Sequence, residues 1–383
     1  MAQMTSRERF MTAMRNQQPD RVPCAPDISN MIPARRTGRP FWDIYYHENP
    51  PLWRAYLEAL RYFGFDGWFI YGEMDYRYTT LLGREKTILS HTEERMVVAE
   101  RIVTPAGDLI CEYTYYIADP PTTTVKPIVN LKEQWKKVCY LFQEPIAYDA
   151  TVAAQQRAEL GELGVFGLSV GTPGFQSWFP LFQGGLEPLS YLYYDEPEIL
   201  EELRVMDERR LLVQAEMVIE AHPDFVLTGG SGAITLQSPA LARQFTLPTL
   251  SKITRMAKES GVLTMVHSCG KERELVRMCV EETDLNCINP LEEPPMGDCY
   301  LAEIKREFGS RIALMGNLHT TDVMLLGTPA EVERAAKKAI DDAGAGGGFI
   351  LSSGDQCGRD TPEENIFKLV EVCKTYGQYD GPQ

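Results

Sequence analysis

The chain has 383 residues, 44% of them hydrophobic, and its 54 acidic side chains outnumber 38 basic ones to give a formal net charge of −16. That balance argues against a nucleic-acid or anionic-membrane surface and favours a small molecule or a protein as partner. No apolar run approaches the roughly 18 residues that a membrane span needs. Nine cysteines, an odd number scattered through a long chain, point to a reducing cytoplasm rather than a disulfide framework.

The N-terminal stretch MAQMTSRERFMTAMRN reads as an amphipathic helix rather than a signal peptide, with Thr5 and Glu8 as a capping box. Apolar runs at 21–29, 66–72, 163–171, 224–230, 261–270, 285–292, 311–319 and 347–354 read as strands, separated by helical patterns such as TPAEVERAAKKAIDDAG. Near-continuous apolar strands alternating with helices imply a parallel sheet covered on both faces. Eight such units in this length predict an α/β fold of the (β/α)8 TIM-barrel type, with residues 1–383 as one domain. Residues 86–130 break the pattern by alternating apolar and polar positions across a PAGD turn. They predict an antiparallel β-hairpin inserted after the second strand, as a cap or an interface. The GAGGG run at 344–348 precedes a strand, whereas a phosphate-cradling loop follows one, so it reads as a helix stop and tight turn.

The run TMVHSCG carries the chemistry. His267 and Cys269 stand at positions i and i+2 of a strand and so leave the same face. They also fall at the strand's C-terminal end, where barrel enzymes place their sites. A core histidine and a core cysteine are the plain alternative for either residue alone. Cys357 follows the last predicted strand in a Gly-flanked loop, 88 residues beyond Cys269. In a closed barrel both loops open onto one mouth, so an imidazole and two thiolates would converge. Zn2+ held by Cys2His with a fourth position open is a catalytic arrangement. The other cysteines have no spacing partner and read as small core residues.

The opening SRERFMTAMRNQQPDRVP, the HSCG stretch, the MGNLH strand and the TPEEN close resemble the uroporphyrinogen decarboxylase superfamily. The resemblance implies a barrel with one of two trades, metal-free decarboxylation of a porphyrinogen or zinc-dependent methyl transfer with a corrinoid protein. Its methyltransferase branch has a His-x-Cys…Cys zinc motif that maps onto His267, Cys269 and Cys357. Its decarboxylase branch has a carboxylate-binding Arg-x-x-Gly-Arg stretch, matched from Arg35 to Arg39, but its aspartate after the second strand falls near Gly72 and Glu73, and its last-loop histidine falls at Asp355. The methyltransferase branch fits better. Around the metal, Tyr71, Tyr76, Phe175 and Trp178 near strand ends are candidates to wall a pocket for a ring or a methylated cation.

Glu73 and Asp75 are candidates for acid–base work, Glu292 for a fourth zinc position or its support, and Gln237 for substrate contact. Asn317 matches a family position that supports the site, and His319 is a spare candidate for proton transfer. The expectation is a cytoplasmic zinc methyltransferase that moves a methyl group between a small thiol or O- or N-methyl compound and a cobalamin (corrinoid) carried by a partner protein. A homodimer is compatible with it. A decarboxylase of a carboxylated substrate and a non-catalytic barrel subunit are the alternatives.

Overall fold

Thirteen strands form among residues 3–379, which the computed structural model describes. They are β1 (Gly67–Gly72), β2 (Asp75–Tyr78), β3 (Gly83–His91), β4 (Arg95–Thr104), β5 (Gly107–Tyr116), β6 (Thr122–Val125) and β7 (Pro145–Asp149) in the first part of the chain. In the second part β8 (Gly164–Ser169), β9 (Phe225–Thr228), β10 (Leu263–His267), β11 (Cys287–Asn289), β12 (Ala313–Leu318) and β13 (Phe349–Ser353) follow. Seven of them, β1 and β8 to β13, pair in parallel in chain order as one sheet.

Successive strand residues face opposite sides, and the burial follows that rule. Trp68, Val165, Phe225, Met265, Cys287, Met315 and Ile350 form one buried cluster with Phe10, Ala13 and Met14 of the first helix, Ser6–Met14. Their strand neighbours Phe69, Phe166, Val226, Val266, Ile288, Leu314 and Leu351 belong to a second, larger cluster shared with the crossover helices. The sheet thus has an inner row plugged by the N-terminal helix and an outer row covered by helices. The Thr5–Glu8 capping box that starts the plug is formed.

The first predicted strand, at 21–29, does not form. Pro23 and Pro26 have no N–H, so this segment cannot run a ladder. Instead it makes a single parallel bridge, Cys24 to Leu351. Ala25 donates to the Leu351 carbonyl at 2.8 Å, and Asp66 donates to the Cys24 carbonyl at 2.7 Å. The same two residues therefore bond the last strand of the sheet and the chain just before its first, and the sheet curls until its edges share one short segment. This differs from a strict eight-stranded barrel by the loss of one strand.

The inserted region also differs from expectation. An antiparallel sheet of four strands, β3 to β6, occupies Gly83–Val125 and follows β1, where one hairpin over 86–130 was expected. β4 alternates buried and exposed residues, whereas β3 is exposed along its whole length. A two-stranded ribbon of β2 and β7 stands apart. At the other end of the chain, Gly346, Gly347 and Gly348 all have positive φ, turning the chain from the helix Pro329–Ala343 into β13. A Cβ at Gly348 would stand 1.8 Å from Asn16 Oδ1, so only glycine fits. All nine cysteines are free. Among the described residues no helix is long and apolar enough to cross a membrane.

Asp66, fully buried, clamps the closing segment: it accepts from Arg9 at 2.6 Å, from Arg21 at 2.9 Å and from the Cys24 amide at 2.9 Å. Asp66→Ala leaves the buried Arg21 guanidinium without a carboxylate and Arg9 with Asp20 alone, and a loss of about 3–5 kcal/mol is expected in urea denaturation. A loss typical of surface ion pairs, about 1 kcal/mol or less, would remove the clamp from this role. Burial works to raise the Asp20 carboxyl, but Arg9 and the amides of Met4 and Arg21 outweigh it and hold the group below its ordinary value. The folded chain then binds this proton less readily than the unfolded one. Asp20 contributes stability above its unfolded pKa, about 3.9, and that contribution is lost as pH falls below it. Asp20→Asn is expected to lower stability at neutral pH and to flatten its decline in acid, read from denaturation midpoints across a pH series.

Candidate metal centre

His267 ends β10 two residues after Met265, so it continues the inner row and faces the mouth of the curled sheet. Its register partner in β11 is Asn289. Asn289 Oδ1 lies 3.1 Å from His267 Nδ1, which makes Nδ1 the protonated nitrogen and leaves the Nε2 lone pair toward the mouth. Nε2 is 3.9 Å from Asp355 Oδ1, in the loop after β13. With the Cys269 thiol these two groups form a half-buried cluster whose ligand atoms all lie within 4.8 Å of one another. Asp355 holds φ at +139°, where L-residues are strained, and that strain accompanies the turning of its carboxylate toward His267.

Cys357 is not in this cluster. Its amide donates to the Asp27 carbonyl at 2.8 Å, and its thiol, 1% exposed, bonds with Ser353. That backbone bond fixes the loop so that Asp355, two residues earlier, meets His267. Burial pushes the Cys357 thiol up to about 12. Cys269 is pushed up to about 11, first by burial and next by the Asp355 carboxylate.

The surroundings are acidic. Burial raises Glu292, with Asp355 adding to the effect, while its Oε2 accepts from the Gly270 amide. Asp27 is raised by burial too, and accepts from the Ser29 amide at 2.9 Å and hydroxyl at 2.6 Å. Among the described residues no lysine or arginine makes an ion pair with Asp27, Glu292 or Asp355. Nitrogen, sulfur and oxygen donors in one carboxylate-rich pocket suit a divalent ion, and zinc takes all three donor types. A cavity of about 310 Å³ runs beside the cluster, lined by Asp27, Trp68, Thr228, Ser231, His267 and Gln356 among others.

The remaining expected residues divide. Tyr71, Tyr76 and the exposed Glu73 line a second cavity of about 500 Å³, which shares Ile70 and Ser169 with the first. Asn317 braces the turn before Glu292 by donating to the Leu291 carbonyl at 2.8 Å. Asp75 is exposed on the β2–β7 ribbon opposite Asp149, outside both cavities. Phe175 and Trp178 are buried in a cluster of their own, with Trp178 Nε1 donating to Asp207 at 2.8 Å, so neither walls a pocket. Gln237 is a buried brace that accepts from the Phe175 amide at 3.1 Å and donates to Thr246 at 2.8 Å.

Arg35 donates to the Arg359 carbonyl at 2.6 Å, and Arg39 lines a separate cavity with Arg36, Arg54 and Arg61. His319 caps a helical turn, its Nδ1 accepting from the Asp322 amide at 2.9 Å. The sequence reading missed Asn289, Asp27 and Trp68, and did not see Asp355 as a donor. Asn289 had a usable signal: it sits on the inner row one strand over from His267.

The methylcobamide:CoM methyltransferase MtbA of Methanosarcina mazei is 33% identical over 135 residues, 35% of this chain and 36% of the relative. The methylcobamide:CoM methyltransferase MtaA of Methanosarcina barkeri is 27% identical over 180 residues, 47% of this chain and 50% of the relative. The chain thus spans half or less of the length of these curated relatives. A solved structure described as a methyltransferase from Methanosarcina mazei superposes with a TM-score of 0.66 over 98% of this chain and 99% of that one; at 19% identity it speaks for the fold. Residues 183–376, which include His267, Cys269, Asn289, Asp355 and Cys357, match the family model described as uroporphyrinogen decarboxylase (URO-D), and the chain belongs to that family.

Proposed function

We propose that the protein is a zinc-dependent methyltransferase that moves a methyl group between a small substrate and a corrinoid carried by a separate protein. The observation that carries this reading is the convergence of His267, Cys269 and Asp355 in an acidic, cation-poor mouth. The activity for which the methylcobamide:CoM methyltransferases are named supports it, since those proteins match part of this chain.

His267 Nε2 and Cys269 Sγ would hold the ion. The third donor is Asp355, as the geometry has it, or Cys357, as the family motif has it; the two stand on one loop. When bound, zinc supplies Lewis acidity, which keeps a substrate thiol deprotonated or polarises the atom that gives up its methyl group. Asn289 holds the imidazole in one tautomer and one orientation. Ser231 bonds the Cys269 thiol, and the Gly270 amide fixes Glu292 beside it. Trp68, with its ring centre 6.3 Å from that of His267, lines the cavity floor and keeps one side of the imidazole from bulk water.

Decarboxylation of a carboxylated substrate is the weaker reading, because Arg35 and Arg39 do not line either of the cavities at the mouth.

About one zinc per chain is expected in the purified protein, and His267→Ala and Cys269→Ala should each abolish it while leaving the circular dichroism spectrum unchanged. Asp355→Ala and Cys357→Ala measured side by side assign the third ligand, since the one that loses zinc marks it. Asn289→Ala should weaken zinc binding about 10- to 100-fold in competition with a chelator. Methyl transfer from a methylated corrinoid protein, or to an unmethylated one in its cobalt(I) state, should vanish in the two zinc-free variants. Full activity of zinc-free protein would sink the proposal.

A further inference from the structure

The larger cavity at the mouth is walled by Tyr45, Trp53, Tyr71 and Tyr76, with Glu48 and Glu73 also on its lining. Among the described residues that line it there is no lysine or arginine. Both glutamates are exposed and bring carboxylates to the lining without closing the cavity. The hydroxyls of Tyr45 and Tyr71 are committed elsewhere, donating to Asn30 Oδ1 and to the Ser29 carbonyl. What those two residues offer the cavity is ring surface. The cavity adjoins the one beside His267 through Ile70 and Ser169.

These features select among ligand chemistries. The Arg54 guanidinium takes one side of the Trp53 ring, 4.7 Å from its centre, but is paired with Glu159, so the two carboxylates on the lining still repel an anion. A metal ion needs several donor atoms converging within a few ångström, and the three-residue cluster found at that spacing is the one at His267. A primary ammonium wants a ring of acceptors, while a neutral ring gains nothing from the carboxylates. A methylated ammonium gains from both: it spreads its charge over carbon-bound hydrogens, sits against aromatic rings and needs no close acceptor.

We infer that this cavity binds methylated ammonium groups, and that the small substrate carries one. The first half stands on the cavity alone; the second rests on the methyl transfer proposed above. A molecule held this way has its cationic end among Tyr45, Trp53, Tyr71 and Tyr76 and its far end beside the His267 cluster.

The test is calorimetric titration of the zinc-loaded protein with choline and with its uncharged isostere, in which a tert-butyl group replaces trimethylammonium. Choline is expected to bind, and the isostere to bind at least about tenfold more weakly. Trp53→Leu and Tyr76→Leu should each weaken choline about 3- to 30-fold, with Trp53→Phe restoring part of the loss. Tyr76 is half-exposed on a surface ribbon, so its variant is the one that tests the site without threatening the fold. Equal binding of choline and isostere, or no binding of choline to folded protein, overturns the inference. Choline binding that survives in zinc-free His267→Ala supports the cavity even where the methyl-transfer reading fails. Methyl transfer in a protein that ignores choline would leave that reading standing and end this one.

Discussion

Where the first and last strands of the parallel sheet approach each other there is no further ladder to join them, and the junction hangs on the buried carboxylate of Asp66. Arg9, Arg21 and the Cys24 amide all converge on it. A charge in that position is tolerable because opposite charges and a backbone donor replace the water it gives up. The arrangement reaches further than the junction. From Cys24 the segment runs on to Asp27, whose amide donates to Ser353 at 2.9 Å and whose carbonyl receives the Cys357 amide. The loop that brings Asp355 to His267 is therefore braced by the same segment that closes the sheet, and the mouth inherits its geometry from a clamp at the other end of β1.

The mouth is built on the opposite electrostatic plan. At Asp66 every charge has its partner. Around His267, among the described residues, the carboxylates of Asp27, Glu292 and Asp355 pair with no lysine or arginine, and the fully buried Glu272 is pushed far above the ordinary range by burial. Burial raises Asp27, Glu272 and Glu292, and the carboxylates beside them add to the effect. A site left in that condition favours whatever cation can enter, and the nitrogen, sulfur and oxygen donors present decide which kind.

Much of this was legible in the sequence because it depends on period. Seven of the expected strands form, since runs such as LTMVH and RIALMG bury both faces of a parallel sheet and say so by their continuous apolarity. His267 and Cys269 were expected on one strand; β10 ends at His267 and Cys269 lies just past it, yet its thiol still joins the imidazole. The first expected strand failed because apolar content at 21–29 outweighed the two prolines, whose missing N–H groups decide the matter. Phe175 and Trp178 lay near a strand end in sequence, yet the chain after β8 folds them into a separate core with Phe182 and Phe245. Proximity along the chain says where a side chain starts and not which way its segment then turns. The choice between Asp355 and Cys357 was illegible for a similar reason. It is made by backbone torsion in a five-residue stretch and by a hydrogen bond to Asp27, more than 300 positions away.

The torsion at Asp355 has an evolutionary consequence. A side chain held at φ +139° is a standing cost to the folded state, and glycine at that position would relieve it. Drift under selection for stability alone therefore runs toward losing the carboxylate. The loop after β13 is a place where the protein stays less stable than its sequence would allow, and an aspartate persists there only as long as its presence beside His267 is worth more than the strain it maintains.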